Sequence, residues 1–156
     1  TSADGAQTFD WQYDATGNRT QQQKTAGGAS AASIYTIEAT SNRLSSVDAN
    51  ARQYDAAGNT TSADGKTFVY NGRNRMSEVR QGGITLARYA YNAVGERICV
   101  ALQGGSCPTA TAAGNNYRQY VYDDNGHLIG EYDSAGNLIA EHLWLGDTPV
   151  AVLKPS

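Results

Sequence analysis

The sequence predicts an all-β protein, in which successive antiparallel β-hairpins form one continuous curved, spiralling sheet. Composition is the first indication, because Gly occurs 17 times and Tyr 10 times against two Phe and one Met. Tyr, Thr, Val and Ile suit half-buried pleated surfaces, whereas Gly and Asn suit tight turns. The second indication is a short recurring motif, and the third is the lack of any convincing helical pattern.

The recurring motif reads Tyr-Asp-x-x-Gly-Asn, and its copies begin at Tyr13, Tyr54, Tyr91, Tyr122 and Tyr132. The third copy is looser and carries Asn92 and Glu96 in place of the Asp and the final Asn. Self-similarity of this kind indicates repetition of a two-strand unit. The residues that we assign as structural turn residues are Tyr13, Asp14, Gly17, Tyr54, Asp55, Gly58, Tyr91, Gly95, Tyr122, Asp123, Gly126, Tyr132, Asp133 and Gly136.

Each position of the motif has a mechanical role. The Tyr ends a strand with its ring on one face of the sheet. The Asp begins a turn, and its carboxylate accepts a hydrogen bond from the backbone N–H two residues on. The Gly then takes a left-handed conformation after a type I turn, a position with φ > 0 that Gly fills without steric cost. Capping is therefore favoured over acid–base or calcium chemistry, since Asn92 caps equally well without a charge.

A second block recurs between the copies of the first. Asn42-Arg43-Leu44-Ser45-Ser46-Val47 matches Asn74-Arg75-Met76-Ser77-Glu78-Val79, and the two copies are 32 residues apart. Arg43, Arg73 and Arg75 either bind an anionic partner or pair with the adjacent hairpin, and pairing is the favoured interpretation.

Alternation and loop composition complete the organisation. Leu138, Ala140, His142 and Trp144 recur at every second residue, which is typical of a strand with one packed face. The Gln-, Ala- and Gly-rich stretch near 21–32 and the low-complexity stretch near 104–116 are predicted as loops. We interpret residues 1–156 as a single segment of repeats.

The two cysteines, Cys99 and Cys107, leave two interpretations open. Antiparallel neighbours can bring their Cα atoms within the roughly 4.4–6.8 Å that a disulfide requires. The alternative is a pair of free thiols.

Several functional classes find no support in the sequence. With 12 basic and 15 acidic residues, the chain lacks the clustered cations that nucleic-acid binding requires. It has no apolar run of the roughly 18 residues that a membrane-spanning helix needs, and residues 1–10 carry no targeting signal. We predict no metal, no cofactor and no catalytic residue, because His127 and His142 lack an accompanying Ser or Cys nucleophile.

The Tyr-Asp-x-x-Gly-Asn turns and the Asn-Arg-Leu/Met blocks resemble the Rhs/YD-repeat family, which includes bacterial Rhs proteins, the shells of toxin complexes and the teneurins. The stretches Glu131–Ile139 and Trp144–Ala151 resemble the region near the C-terminal end of the Rhs core. The resemblance implies a hollow β-shell that encloses a C-terminal toxin or effector domain. In many members that domain is released at a downstream block, which does not occur here.

This resemblance implies a non-catalytic structural segment of a secreted or cell-surface bacterial polymorphic toxin. Its partners would be the remainder of its own shell and the enclosed toxin domain, and its unpaired edge strands would favour self-association. The alternative is a recognition module that binds carbohydrate or protein at a cell surface. Trp11 and Trp144 offer rings for such binding, although Trp144 lies in the apolar stretch 143–145, which favours packing.

Overall fold

The computed structural model describes residues 7–155, and every regular element in this range is a β-strand. The predicted segment over 1–156 therefore extends beyond the described residues at positions 1–6 and 156. The chain divides into two compact units, one ending at Gly65 and the other starting at Lys66. The predicted all-β class, with successive antiparallel hairpins in a curved sheet, is confirmed.

Residues 7–65 of the first unit, the part that the structure describes, form seven strands. Strands β1 to β5 are sequential antiparallel neighbours in one sheet, and β6 and β7 pair as a short hairpin. The strands are β1 (Gln7–Tyr13), β2 (Arg19–Ala26), β3 (Ala29–Ile37), β4 (Leu44–Val47), β5 (Asn50–Ala51), β6 (Gln53–Tyr54) and β7 (Thr60–Ala63).

The second unit contains eight strands, and each is hydrogen-bonded to the next along the chain. Every described pair is antiparallel. The strands are β8 (Lys66–Tyr70), β9 (Met76–Gln81), β10 (Ile84–Tyr91), β11 (Arg97–Ser106), β12 (Asn115–Tyr122), β13 (Leu128–Asp133), β14 (Leu138–Leu145) and β15 (Thr148–Leu153).

The register shifts by one residue at a recurring place in the hairpins. In six hairpins the shift falls at the tyrosine that directly precedes the turn. These tyrosines are Tyr13, Tyr54, Tyr70, Tyr91, Tyr122 and Tyr132. An extra residue on one strand bends that strand and increases the local right-handed twist. Repetition of the same bulge is thus the local cause of curvature within each unit.

The buried positions are occupied by small side chains. The buried apolar residues are Ala63, Ala87, Cys99, Ala101 and Ala140, and no large side chain is fully buried in the described part of the chain. Packing against a second layer therefore contributes little, and most stabilising contacts are those between neighbouring strands and turns.

The stretch near 21–32, predicted as a loop, instead forms the paired strands β2 and β3. They are joined by Gly27 and Gly28, whose φ angles are +58° and +80°. Two consecutive residues with positive φ make the two-residue turn that suits the twist of a hairpin. The stretch near 104–116 is shorter as a loop than predicted, because β11 continues to Ser106 and β12 begins at Asn115.

Candidate functional site

Within residues 7–155, one type of five-residue turn occurs six times, and we call each copy a capping turn. The backbone N–H of its first residue donates to the carbonyl of its fifth, and the N–H of its fourth donates back to the carbonyl of the first. This is a type I turn closed by one left-handed residue. The capping turns are 14–18, 55–59, 71–75, 92–96, 123–127 and 133–137.

The structure places an aspartate side chain across the turn in four of these copies. In the first, Asp14 Oδ1 accepts from the N–H of Thr16 and of Asn18, both at 2.9 Å. Its Oδ2 accepts from Asn18 Nδ2 at 3.0 Å. Asp133 repeats all three contacts with Ala135 and Asn137 at 2.9 Å.

These hydrogen bonds keep the aspartates ionised. The side chains of Asn18 and Thr16 lower the pKa of Asp14 to about 2. The Asn59 side chain lowers the pKa of Asp55, and the Asn137 side chain does the same for Asp133. A carboxylate whose oxygens are filled by donors and whose pKa is lowered is poorly suited to general acid–base work near neutral pH. The geometry is that of a structural cap.

The copy at 92–96 reverses the polarity of the side-chain pair. Asn92 Oδ1 accepts from the N–H of Gly95 and of Glu96, both at 2.9 Å. The bond from the fifth residue is the one that Asp14 and Asp133 also accept. Asn92 Nδ2 then donates to Glu96 Oε2 at 2.6 Å. Because donor and acceptor have exchanged places, the turn closes with the negative charge on its fifth residue.

The sixth capping turn, 71–75, was missed in the sequence. Asn71 Oδ1 accepts from the N–H of Arg73 and of Arg75, and Asn74 takes φ +57° where the other copies have Gly. The second sequence block, which begins at Asn74, therefore starts inside a capping turn. The signal was available, since Tyr70-Asn71 precedes this turn with the same spacing as Tyr-Asp in the other copies. Asn tolerates the left-handed region better than other non-Gly residues.

Four aromatic side chains each connect a hairpin to the one before it. Tyr54 Oη donates to the Leu44 carbonyl at 2.7 Å, and Tyr91 Oη donates to the Met76 carbonyl at 2.8 Å. Tyr122 Oη does the same to Arg97 O at 3.0 Å. Burial raises the pKa of Tyr91 and of Tyr122.

At the next hairpin, Trp144 makes the contact that a tyrosine makes at the others. Its Nε1 donates to the Leu128 carbonyl at 2.8 Å. In each of these four contacts the acceptor is the residue that directly follows a fifth or equivalent turn position. The sequence did not reveal that Trp144 is equivalent to these tyrosines, because Trp144 is not followed by an Asp or Asn as they are.

Two arginines stack on the tyrosine of the following hairpin. The Arg43 guanidinium lies 5.5 Å from the Tyr54 ring centroid, and that of Arg75 lies 5.7 Å from the Tyr91 centroid. Arg73 Nη1 also reaches forward, to the Ala93 carbonyl at 2.8 Å. All three arginines thus contact the adjacent hairpin, through rings and a carbonyl.

His127 directly precedes β13, His142 lies within β14, and both lie close to carboxylates. His127 Nδ1 lies 2.9 Å from Asp123 Oδ2, and its Nε2 lies 3.1 Å from Asp147 Oδ1. The imidazole stacks on the Trp144 ring with centroids 4.4 Å apart. The side-chain hydrogen bond with Asp123 raises the pKa of His127.

His142 belongs to a different cluster. Its Nε2 lies 3.0 Å from Glu131 Oε1, and the second oxygen of Glu131 pairs with Arg118 Nη1 at 3.3 Å. Neither histidine contacts a Ser, Thr or Cys side chain through any hydrogen bond of the described residues, so the arrangement lacks an activated nucleophile.

A buried carboxylate was also missed in the sequence. Glu78 is 9% exposed, accepts from Thr85 Oγ1 at 2.5 Å and pairs with the guanidinium groups of Arg80 and Arg88. The hydrogen bond from Arg80 is the main cause that lowers the pKa of Glu78. A buried charge is tolerated only when it is paired and hydrogen-bonded, which is the case here.

The two cysteines are joined. Cys99 and Cys107 form a disulfide with Cα atoms 5.9 Å apart, and it ties a buried position of strand β11 to the start of the loop that precedes β12. This is the first of the two interpretations left open by the sequence.

Other classes of site have no representative between residues 7 and 155. No group of three or more His, Cys, Asp or Glu side chains there is arranged to hold a metal ion. No helix in that range is long and apolar enough to cross a membrane.

No protein-family model matches the chain, and no curated protein matches it either. Solved structures do match. The Photorhabdus luminescens Tc holotoxin pore contains a chain that is 19% identical over 89% of this chain, with a TM-score of 0.51. The TcdB2-TccC3-Cdc42 complex contains one that is 20% identical over the same share, with a TM-score of 0.50.

This chain spans only about a tenth of the solved chains that it matches, 9% and 10% of their lengths. Identity at this level carries information about the fold. The YD-repeat type of fold that the motifs predict is confirmed in that sense, as a run of antiparallel hairpins shared with part of these toxin-complex chains.

Proposed function

We propose that this chain is a non-catalytic structural segment of a YD-repeat shell that encloses a C-terminal toxin or effector domain. The observation that carries the proposal is the recurring capping turn with its contact to the next hairpin, because it propagates a wall one hairpin at a time. Matches to parts of toxin-complex chains support it. In this proposal residues 1–156 form a single segment, and the longer protein is a secreted or cell-surface bacterial toxin.

A structural role agrees with the chemistry of the site. The aspartates and His127 form hydrogen bonds within capping turns. The arginines contact neighbouring hairpins, and the cysteines form a disulfide. Side chains that are already engaged in the fold leave little with which to bind and transform a substrate.

The edge strand β15 motivates a further partner. It ends the run of strands, all six of its residues are exposed, and Val150 and Val152 are 62% and 52% exposed. Such an edge offers unpaired backbone groups to another strand. We expect the isolated chain to self-associate through β15, and a strictly monomeric species at high concentration in sedimentation velocity would contradict this.

Encapsulation is tested by limited proteolysis of the longer protein that carries this segment. Gly95→Val forces a β-branched residue into φ +95° and against Arg75. A loss of about 2 kcal/mol in stability raises the population of molecules in which this segment is unfolded roughly thirtyfold. The rate at which the C-terminal domain is cut should increase accordingly. Val94→Ala, next to it and 78% exposed, is the matched control.

The outcomes separate cleanly because stability and protection are measured on the same variant. If Gly95→Val lowers the melting temperature and the C-terminal domain is cut faster, enclosure is supported. If the melting temperature falls while cutting of that domain is unchanged, the segment does not enclose it and the proposal is wrong.

A further inference from the structure

The capping turn at 71–75 differs from the other five in the chemistry of its side-chain pair. In four of the others an aspartate at the first position is hydrogen-bonded to the fifth side chain, and in one the same positions hold Asn92 and Glu96. Here the pair is Asn71 and Arg75, and Asn71 Oδ1 already accepts from two N–H groups of its own turn. The Asn71 Nδ2 group and the Arg75 guanidinium are both donors. The pair therefore lacks the acceptor that closes the other turns.

Two arginines of this turn carry charge that no carboxylate of residues 7–155 balances. Neither Arg73 nor Arg75 forms an ion pair within that range. Arg73 donates from Nη1 to the Ala93 carbonyl at 2.8 Å, and the Arg75 guanidinium stacks on Tyr91 with 5.7 Å to the ring centroid. Stacking uses the flat face of a guanidinium, so the N–H groups at its edge remain available to a ligand.

These side chains surround an open cleft of about 630 Å³ between turn 71–75 and turn 92–96. Every charged residue of its lining is an arginine. The carboxylate of the second turn, Glu96, accepts from Asn92 Nδ2 at 2.6 Å and turns its other oxygen toward Gly126 of the following turn. The cleft is lined by residues that include Asn71, Arg73, Arg75, Tyr91 and Ala93.

Two guanidinium groups beside an amide donor match a phosphate group in charge and in geometry. The fork of N–H donors on an arginine bonds two oxygens of a phosphate at once. A phosphomonoester carries a charge of about −1.5 to −2 at pH 7, which balances two guanidinium groups, whereas a carboxylate balances one. We propose that Asn71, Arg73 and Arg75 bind the phosphate group of a small phosphorylated ligand, whose oxygens supply the acceptor that this turn lacks.

Larger anionic partners fit the cleft less well. Single-stranded nucleic acid needs a cationic groove along its backbone, whereas residues 66–156 contain eight acidic and eight basic side chains. A protein partner needs an apolar centre to its interface, and the cleft offers only Tyr91, which is covered by Arg75, and Ala93. The chemistry of the cleft thus favours a small ligand.

Titration of the ¹⁵N-labelled chain with glycerol 2-phosphate at low ionic strength tests the site. The side-chain N–H signals of Asn71, Arg73 and Arg75 should shift together. Arg73→Met and Arg75→Met should each weaken binding about tenfold, the loss expected for a hydrogen bond between charged groups.

Arg43 provides the matched control, because it stacks on Tyr54 as Arg75 stacks on Tyr91. Its turn begins at Glu38, whose carboxylate accepts from Ser41, and Ser41 stands where the other block has Arg73. The Arg43 signal should stay unshifted, and Arg43→Met should bind glycerol 2-phosphate as the parent does.

Asn71→Asp separates binding from folding. It keeps the Oδ1 acceptor for the turn and places a carboxylate beside the arginines, as the aspartates of four other capping turns show is compatible with this geometry. Phosphate binding should be lost while the melting temperature, followed by circular dichroism, does not fall.

The choice of anion has its own arm. Methyl sulfate and acetate, which carry a single charge, should bind more weakly than glycerol 2-phosphate at pH 7.5. Inorganic phosphate distinguishes the two sources of the group: whichever of the free ion and the ester binds more tightly identifies the ligand, and either supports the site. Unshifted signals, unchanged binding by folded Asn71→Asp, an equal loss in Arg43→Met and Arg75→Met, equal binding of acetate, or tighter binding of oligothymidylate would each overturn the proposal.

Discussion

Substitution of one glycine by alanine isolates the contact that joins two hairpins. Gly95 has φ +95°, and a Cβ built on it would lie 2.0 Å from Arg75 Nη2. Gly136 occupies the same position of another capping turn in the same unit, with φ +85° and no atom within 4 Å of its Cβ. The two positions share the backbone requirement and differ in the neighbour.

The expected magnitudes follow from these two environments. Forcing a residue with a Cβ into the left-handed region costs about 1–2 kcal/mol, and both variants incur this cost. In Gly95→Ala the Arg75 guanidinium must also leave the Tyr91 ring, which loses a cation–π contact of about 0.5–1 kcal/mol at an exposed site. Gly95→Ala should therefore destabilise the second unit more than Gly136→Ala by about that amount.

Urea unfolding followed by circular dichroism measures the difference. A double-mutant cycle assigns it: in an Arg75→Met background the guanidinium is already absent, so the excess cost of Gly95→Ala should disappear. Equal costs for the two glycines in the parent chain, together with a neutral Arg75→Met, would refute the claim that arginine stacking couples successive hairpins. A neutral Gly136→Ala would refute the left-handed cost itself.

Three further outcomes are expected. Asp55→Asn should lower the melting temperature because Asn59 Nδ2 loses its acceptor at 2.9 Å. Adding Asn59→Asp should restore the melting temperature, because the double variant recreates the reversed pair formed by Asn92 and Glu96. A double variant that melts no higher than the single one would contradict this. Reduction of the Cys99–Cys107 disulfide, whose partners are separated by 8 residues, should lower the free energy of unfolding by about 2.5 kcal/mol, the loss of loop entropy. Urea unfolding with and without reductant measures this loss. The stability of the Cys99→Ala/Cys107→Ala variant should not change with reductant. His127 has a pKa raised above its usual value, so its stabilising contribution is present below about pH 6.5 and is lost as pH rises through the folded pKa. Thermal unfolding from pH 5 to 9 should show this loss of stability in the parent and not in His127→Asn. An NMR-titrated pKa of His127 at or below the usual value would contradict the prediction.

The capping turns were largely predictable because they depend on local chemistry. A glycine at the left-handed position and an aspartate three residues earlier are required by backbone sterics and hydrogen bonding within five residues. Asn74 was missed at the same position because it also begins a second recurring block, although Tyr70-Asn71 stands before it at the spacing of Tyr-Asp in the other copies. Its φ of +57° shows its role.

Strands β2 and β3 were not predictable from pattern. Alternation of apolar and polar residues arises where one face of a strand is buried and the other is wet. Both faces of these two strands are at least partly exposed, and Gln, Ser, Thr and Ala occupy them without a cost that would select an alternating pattern. In a sheet with little layered core, the hydrophobic period that normally marks strands is weak.

The fifth residue of the capping turn explains how the repeats vary while their geometry does not. Within the turn this residue only has to complement the first one, so Asn, Glu and His all serve. Outward, the same side chain faces the next hairpin: Arg75 stacks on Tyr91, Glu96 lies against Gly126, and His127 stacks on Trp144. Since one residue both closes its own turn and contacts the next, the identity of the fifth residue in one repeat constrains the residues of the following repeat. Exchange of Arg75, Glu96 or His127 should therefore be tolerated better when its partner in the following hairpin is exchanged with it.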